Sequence, residues 1–309
     1  MSYLQDLALR LAAGAMKLPE ETRQRHAAYL LEAQADNGGF AGRKGAADPY
    51  YTGFALRGLA LLGRLDNETA ARAGRFLADR LGQQMPNVDF ISLIFAALLL
   101  EVTAGIDIFT QTGRERRELV AETLGPMRRD DGGYAKSNRS RQSSTYHTFL
   151  ASLCRQLVGL PLEATERTVE LVRSRHREDG GFVEIAQANQ SGTNPTAAAV
   201  GLFSILDAFQ PDMQDAAARF LARMQNAEGG LRANDRIPLA DLLSTFTGLV
   251  SLVDLDRLDA VDPRAARQYV TRLDSPRGGF LAGSWDETVD VEYTFYGLAA
   301  MSLLATHAD

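Results

Sequence analysis

Four carboxylates crowd the segment WDETVDVEYTFYGLAA, which spans residues 285–300; they are Asp286, Glu287, Asp290 and Glu292. The segment then becomes apolar and aromatic, which is typical of a buried helix. Neighbouring carboxylates raise one another's pKa, and a carboxylic acid that stays protonated at neutral pH can donate a proton. Asp290 and Glu292 are therefore candidate Brønsted acids.

A recurring Gly-Gly doublet indicates how the chain positions these acids. The doublet precedes an apolar residue five times, and the second glycines are Gly39, Gly133, Gly181, Gly230 and Gly279. The intervals are 94, 48, 49 and 49 residues, so the first interval equals two periods of 47. We therefore predict six repeats, one of which has lost its glycines near Met85.

Each repeat places an amphipathic segment before the Gly-Gly turn and a strongly apolar segment after a polar loop. Few residues alternate with a period of two, so we expect helices and no strands. Six amphipathic helices alternating with six apolar ones favour two concentric layers, with the apolar helices inside. An open solenoid is the competing arrangement.

The order of Gly-Gly-aromatic, a loop of about a dozen residues, an acid and an apolar helix resembles a known repeat. It is similar to that of protein prenyltransferase β-subunits and squalene–hopene-type terpene cyclases, over about residues 36–305. The resemblance implies an all-α (α/α)6 toroid of six helical hairpins around a central apolar cavity that holds an isoprenoid. We expect a single domain over residues 1–309, with N-terminal helices in 1–34 and repeats in about 35–306.

The resemblance also implies that active-site residues lie where the inner helices begin. Aligned on Thr294, four of the six helix starts open with an acid, namely Asp48, Asp89, Asp241 and Asp290. Each acid alone could simply cap its helix and complement the helix dipole. Four in register around one cavity mouth also suit acid catalysis, because they would repel one another.

This sequence matches the catalytic motifs of the two resembled families to different extents. The zinc ligands of protein prenyltransferases fall on Asp241, Leu243 and Tyr293, and leucine cannot bind zinc. The DxDD acid motif of class II terpene cyclases falls on Asp89, but Ile91 and Ser92 replace its later acids. His147, in the neighbouring repeat, matches a supporting histidine of those cyclases or is simply a core residue.

The predicted site therefore has two groups of residues. The catalytic candidates are Asp89, Asp290, Glu292 and His147. The predicted substrate-binding residues, chosen for their place near the cavity mouth and for aromatic faces that stabilise cations, are Asp48, Tyr51, Tyr146, Asp241, Tyr293, Tyr296 and Trp285. The basic segments 42–45 and 136–141 could hold a diphosphate, although solvated surface charge is the simpler interpretation.

Composition restricts the partners and the location. A net charge of −6 argues against nucleic-acid binding, and a single cysteine, Cys154, excludes an internal disulfide. The N-terminus lacks the features of a secretory signal, and the apolar run 91–100 is too short for a membrane span, so we expect a cytoplasmic protein. Peripheral membrane contact for substrate uptake is compatible with this. No cofactor or metal is expected, apart from Mg²⁺ if the substrate carries a diphosphate.

These observations predict an isoprenoid-handling enzyme resembling a monodomain class II terpene cyclase. Its reaction would be the protonation-initiated cyclisation of a polyprenyl substrate in the central cavity. The alternative is a degenerate prenyltransferase-like protein that binds a prenyl chain, a lipid or a partner protein without zinc chemistry. A toroidal glycosidase with paired carboxylates is a third hypothesis, which the single tryptophan disfavours.

Overall fold

The computed structural model describes residues 2–307, and these are almost entirely helical. Met1 and residues 308–309, at the limits of the expected domain, lie outside the described residues. Within residues 2–307 there are fourteen α-helices: α1 Tyr3–Ala15, α2 Glu20–Glu32, α3 Pro49–Leu61, α4 Asn67–Ala78, α5 Asn87–Ala104, α6 Ile108–Thr112, α7 Arg116–Leu124, α8 Thr145–Leu157, α9 Thr165–Ser174, α10 Thr193–Leu206, α11 Pro211–Met224, α12 Leu242–Asp254, α13 Pro263–Arg272 and α14 Val291–Thr306. Two short 3₁₀ turns cover Gly125–Met127 and Leu258–Ala260.

The helices follow the predicted repeat. The outer and inner helices of the six repeats are α2 and α3, α4 and α5, α7 and α8, α9 and α10, α11 and α12, and α13 and α14. A Gly-Gly turn separates the two helices in every repeat except the second, as the spacing indicated. The six helical hairpins predicted from the Gly-Gly interval are therefore confirmed.

The described chain forms two compact units. The terminal unit contains Leu7–Glu122 and Leu273–His307, and the middle unit contains residues 2–6 and Thr123–Arg272. In the terminal unit, α3 packs between α5 and α14, so the first and last inner helices lie side by side. In the middle unit, α10 packs between α8 and α12.

The expectation that the chain has no strands is wrong in detail. Strand β1, Tyr134–Ala135, pairs antiparallel with β2, Ser143–Ser144. Single bridges recur at the matching place in other repeats, for example between Phe182 and Gly192. The cause is the Gly-Gly turn, because it folds the loop back until the residue after the turn lies beside the residue that starts the inner helix.

A buried threonine in the first turn of the inner helix fixes this geometry. Its hydroxyl oxygen accepts the backbone N–H of the residue after the Gly-Gly doublet at 2.9 to 3.2 Å. The five pairs are Phe40 with Thr52, Tyr134 with Thr148, Phe182 with Thr196, Leu231 with Thr245, and Phe280 with Thr294. In three of them the threonine also donates to the backbone carbonyl of the residue preceding the helix. One buried hydroxyl thus joins the turn to the helix start.

The last Gly-Gly turn is bound to the first outer helix of the terminal unit. Gly279 N–H donates to Nδ1 of the fully buried His26 at 3.0 Å, and the imidazole stacks on Phe280 with ring centroids 4.7 Å apart. Arg25 forms two hydrogen bonds to Asp274, at 2.6 and 2.8 Å. These contacts connect repeat six to repeat one.

Helix α5 is long and apolar enough to cross a membrane by the criteria of length and composition. A single helix of this kind is weak evidence, because the core helix of a soluble protein passes the same test. In the terminal unit α5 packs along α3 and against α4, as we expected for the apolar run 91–100.

The Gly-Gly turn gives the first testable prediction. Gly38 has φ +88°, and a Cβ added there would lie 2.3 Å from the Arg72 carbonyl oxygen. We expect Gly38→Ala to lower the free energy of unfolding by roughly 3 kcal/mol or more, since backbone strain and a backbone clash combine. Urea denaturation followed by circular dichroism measures the loss.

Gly45 is the matched control, because its φ is +97° but nothing lies within 4 Å of an added Cβ. Gly45→Ala should lower the free energy of unfolding by only about 1 kcal/mol, because it adds the strain of a positive φ and no clash. Equal losses in the two variants would show that close packing of the turn is unimportant.

Candidate functional site

Three of the four aligned acids are helix caps. A carboxylate oxygen of Asp48 accepts Tyr51 N–H at 2.8 Å, Asp241 accepts Ser244 N–H at 2.7 Å, and Asp290 accepts Tyr293 N–H at 2.9 Å. These residues are the N-caps of α3, α12 and α14. The simpler interpretation, helix capping, therefore accounts for one oxygen of each.

Asp89 does not occupy the helix-cap position at which the sequence alignment placed it. Helix α5 begins at Asn87 with Pro86 as its cap, so Asp89 lies inside the first turn. Within residues 2–307 its carboxyl group has no hydrogen bond or ion pair. Burial, and to a smaller extent the nearby charge of Asp48, raises the pKa of Asp89.

Glu292, two residues after the cap of α14, lies in the terminal unit among aromatic side chains. Its Oε1 accepts the Tyr50 hydroxyl at 2.8 Å and, in a longer contact, the Tyr296 hydroxyl at 3.4 Å. Burial raises the pKa of Glu292, the Tyr50 hydrogen bond opposes the rise, and the charge of Asp290 adds to it. Two phenols therefore orient a carboxyl group whose pKa lies above its usual range.

The aromatic rings form one connected cluster. Phe54 lies 4.9 Å from Tyr50, 5.2 Å from Tyr296 and 5.7 Å from Phe295, measured between ring centroids. The Arg57 guanidinium lies over the faces of Phe54 and Phe295, at 4.2 and 4.7 Å from their centroids. Arg57 thus already occupies one face of Phe54 and one face of Phe295.

Arg43 connects the loop of repeat one to the start of α14. Its two terminal nitrogens bind the carboxylate of Asp286 at 2.9 and 2.5 Å, and its Nε binds Asp290 at 2.9 Å. Burial raises the pKa of Asp290, while Tyr293 N–H and Arg43 oppose that rise. Asp290 thus has an ion-pair partner in Arg43, whereas Glu292 accepts hydrogen bonds from two phenols. Arg43, which belongs to the basic segment 42–45, is therefore paired with carboxylates of this chain.

The other predicted binding residues of the terminal unit are more dispersed. Tyr51 is half-buried and its ring meets that of Tyr50 edge-on, 5.3 Å between centroids. Tyr293 lies under Arg43, at 5.6 Å from its guanidinium. Trp285 is 53% exposed on the loop before α14.

His147 belongs to the middle unit, where a short relay of hydrogen bonds fixes its ring. The Ser144 hydroxyl donates to Glu184, so Ser144 Oγ accepts from His147 Nδ1, 2.9 Å away. This arrangement leaves Nε2 as an acceptor. Burial, with a smaller effect of Lys136, lowers the pKa of His147 to about 4, so the ring is neutral at pH 7.

Two more predicted residues lie in the middle unit. Tyr146 is exposed beside the His147 ring, 5.5 Å between centroids. Both oxygens of Asp241 bind Ser244, one the N–H and the other the hydroxyl. The predicted partnership of His147 with Asp89 joins residues of different units and stays a prediction.

The residues do not fit a protein-prenyltransferase zinc site. Asp241 has both oxygens engaged, and the position two residues later holds the apolar Leu243. Within residues 2–307, no three His, Cys, Asp or Glu side chains are grouped so that they could hold a metal ion.

Sequence reasoning missed Ser144 and Glu184 as site residues, and it considered Arg43 only as part of the basic segment 42–45. Tyr50 was recognisable as an aromatic residue beside an aligned acid, and Ser144 opens the aligned window of repeat three. Glu184 follows the fourth Gly-Gly turn, and no sequence spacing connects it with Ser144.

The Arg43 contacts predict a specific loss of stability. Asp290 is 6% exposed, so Arg43→Gln leaves a buried carboxylate without its ion pair. We expect the free energy of unfolding to fall by roughly 1–3 kcal/mol. Lys44→Gln, in the same loop and exposed, should change it by less than about 0.5 kcal/mol. Similar values for both variants in urea denaturation would contradict the importance of the Arg43 contacts.

The pKa shifts predict pH dependences of opposite sign. The pKa of Glu292 is raised by burial, so its stabilising contribution is present at low pH and is lost as pH rises through the folded-state pKa. Glu292→Gln should therefore be more stable than the parent at pH 8, with the difference vanishing towards pH 4.

Asp286 provides the opposite case. Burial acts to raise its pKa, but Arg43 and Ala282 N–H hold it below its usual range. Asp286→Asn should be less stable than the parent at pH 7, and the deficit should shrink as pH falls. Thermal melts from pH 3 to pH 8 measure both; parallel curves for the two variants would refute the assigned directions.

Solved structures with a similar fold include three types of enzyme. Protein geranylgeranyltransferase-I of Candida albicans, complexed with GGPP, superposes with a TM-score of 0.71 at 14% identity, covering 91% of this chain and 90% of that chain. The type II terpene cyclase MstE from Scytonema gives 0.61 at 14% identity, with 97% and 98% covered. The GH76A α-1,6-mannanase of Salegentibacter gives 0.66 at 13% identity, with 93% and 98% covered. Likeness at these identities shows the fold alone.

Sequence comparison identifies the family. The β-subunit of geranylgeranyl transferase type-2 from Saccharomyces cerevisiae is 22% identical over 208 residues, which is 66% of this chain and 63% of that protein. The chain thus spans less than two thirds of the length of this relative. Residues 12–77 and 204–309, more than half of the chain, match the prenyltransferase alpha-alpha toroid domain, so the predicted (α/α)6 toroid class is confirmed and the chain belongs to this family.

Proposed function

We propose that this protein binds an isoprenoid chain and cyclises it by protonating a carbon–carbon double bond, with Glu292 as the acid. The observation that carries the proposal is the environment of Glu292, which combines burial, phenol hydrogen bonds and the adjacent charge of Asp290. The fold is compatible with it, since solved relatives contain GGPP or geranylgeranyl dihydroxybenzoate.

The proposed step transfers the Glu292 carboxyl proton to an alkene carbon. The π electrons form the new C–H bond and leave a carbocation, while Glu292 becomes a carboxylate. The Tyr50 hydroxyl, 2.8 Å away, then stabilises that carboxylate, and the Tyr296 hydroxyl adds a weaker contact. The charge of Asp290, held by Arg43, favours protonated Glu292 before the step.

The carbocation needs a dry surface with accessible ring faces. The terminal unit has a connected set of aromatic rings that could serve this role. Tyr51, Tyr293 and Tyr296, predicted as substrate-binding residues, supply these rings together with Tyr50.

Two predicted residues have secondary roles in the proposal. Asp89, whose pKa is raised by burial and by Asp48, is the alternative acid. His147, in the middle unit, is neutral and its Nε2 can accept a proton, and its part in this reaction stays a prediction. No cofactor is needed for this reaction, and Mg²⁺ enters only if the substrate carries a diphosphate.

A second candidate function is isoprenoid binding without chemistry. Its support is that Asp48, Asp241 and Asp290 are all helix caps, so that capping alone explains why these acids are present. In this case the aromatic cluster of the terminal unit would hold the chain, and Glu292 would only orient its tyrosines.

Product analysis distinguishes these candidates. The protein is incubated with geranylgeranyl diphosphate and with a geranylgeranyl-substituted phenol, and organic extracts are analysed by gas chromatography and mass spectrometry. We expect a cyclised isomer, and Glu292→Gln should reduce its rate at least about 100-fold, because a general acid contributes that much or more. Glu287→Gln, an exposed neighbour, should retain the parent rate.

Other outcomes correct the proposal in defined ways. Full activity of Glu292→Gln with loss in Asp89→Asn would transfer the acid role to Asp89. Saturable binding of the geranylgeranyl compounds without any new product would support the binding function and refute catalysis.

A further inference from the structure

Positive charge is concentrated in one stretch of an otherwise acidic chain. Residues 128–177 contain ten Lys and Arg against five Asp and Glu, whereas the whole chain has a net charge of −6. The stretch includes the basic segment 136–141. In the middle unit, three of its arginines line an open cleft of about 530 Å³ between α9 and the loops that follow two Gly-Gly turns; they are Arg141, Arg167 and Arg175.

Arg175 forms the buried wall of the cleft. Its side chain is 5% exposed, and one terminal nitrogen reaches the Ser143 carbonyl only at 3.4 Å. Its Nε is buried and has no hydrogen-bond partner. A buried guanidinium N–H without an acceptor lowers the stability of the fold. A ligand that supplies an oxygen acceptor to this N–H would therefore bind favourably.

Arg141 and Arg167 are exposed on the sides of the same cleft. Among the described residues no carboxylate lies within ion-pair distance of any of the three arginines. Arg167 makes only one long contact, 3.4 Å to the Asp130 carbonyl oxygen. The three cations therefore line one opening together with the carboxylates of Asp130, Asp131 and Glu170, and among the described residues none of these carboxylates is ion-paired with them.

Two acids, the exposed Asp131 and the half-buried Glu184, lie near Arg175 but do not satisfy it. One oxygen of Asp131 accepts the Ser143 hydroxyl at 2.6 Å and Gly133 N–H at 3.1 Å. Glu184 accepts the Ser144 hydroxyl. Both acids offset part of the Arg175 charge electrostatically, yet the Nε–H remains without an acceptor.

We propose that this cleft binds a small phosphate monoester that carries hydroxyl groups. The planar fork of arginine matches the oxygens of a phosphate group, and three such forks converge here. The carboxylates of Asp130 and Glu170 also line the cleft and can accept hydrogen bonds from hydroxyls. The same two carboxylates repel an extended polyanion such as nucleic acid.

Isothermal titration calorimetry with inorganic phosphate and with glycerol 3-phosphate tests the proposal. We expect saturable binding of one molecule per chain, with glycerol 3-phosphate the tighter ligand. Arg175→Gln should weaken binding at least tenfold, and Arg141→Gln at least threefold. Arg139→Gln, an exposed arginine of the same basic segment outside the cleft, should change affinity less than twofold.

The remaining outcomes each decide a part of the proposal. Absence of saturable binding of both ligands, or equal weakening by Arg139→Gln and Arg141→Gln, would overturn the site. Equal affinity for the two ligands, or a preference for glycerol 3-phosphate that survives Glu170→Gln, would overturn the assignment of hydroxyl recognition. If circular dichroism shows that Arg175→Gln is unfolded, Arg141→Gln and Arg167→Gln decide, because both side chains are exposed.

Discussion

The hydrogen bond from the residue after each Gly-Gly turn to a threonine hydroxyl determines where the inner helices begin. Five repeats contain it, always with the threonine buried in the first turn of the helix. Because that hydroxyl also binds the carbonyl before the helix in three repeats, turn, helix and cap form one rigid element. The second repeat lacks both the glycines and the threonine, where Leu93 stands instead, and its helix starts earlier relative to the repeat. This displacement leaves Asp89 inside the helix and not at its cap.

In the proposed reaction, the acid is a residue that does not cap the helix. An N-cap carboxylate is stabilised in its charged form by helix N–H groups, so Asp290 suits a fixed negative charge better than a proton donor. Glu292, two residues later, accepts hydrogen bonds from phenols, and its pKa is raised by burial and by the neighbouring charge of Asp290. Two neighbouring carboxyl groups in different environments are a recurring way to separate the roles of acid and fixed charge. Arg43 supports it from another loop by holding Asp290 in place.

The sequence was sufficient for the repeat number, the helix pairs and the placement of Asp48, Asp241 and Asp290 at helix starts, because glycine spacing and apolar periodicity are local signals. It was insufficient for contacts between repeats. Tyr50 and Glu292 are 242 residues apart, and Arg43 lies 243 residues from Asp286, so only the packing of the first inner helix against the last brings them together. The two-residue strands were missed because their pairing follows from the turn and not from any alternation in β1 or β2. The sequence did not indicate that Arg175 is buried, since burial of an arginine is decided by tertiary structure.

The central claim is that the tyrosine-rich cluster around Glu292 holds an isoprenoid chain. Photo-crosslinking with a diazirine-bearing geranylgeranyl probe, followed by peptide mapping, tests this claim directly. We predict labelling of peptides that contain Tyr50, Tyr51, Tyr293 or Tyr296, with competition by unlabelled geranylgeranyl diphosphate and weaker labelling in a Tyr50→Ala variant. Labelling confined to other peptides, or unaffected by competition, would contradict the account.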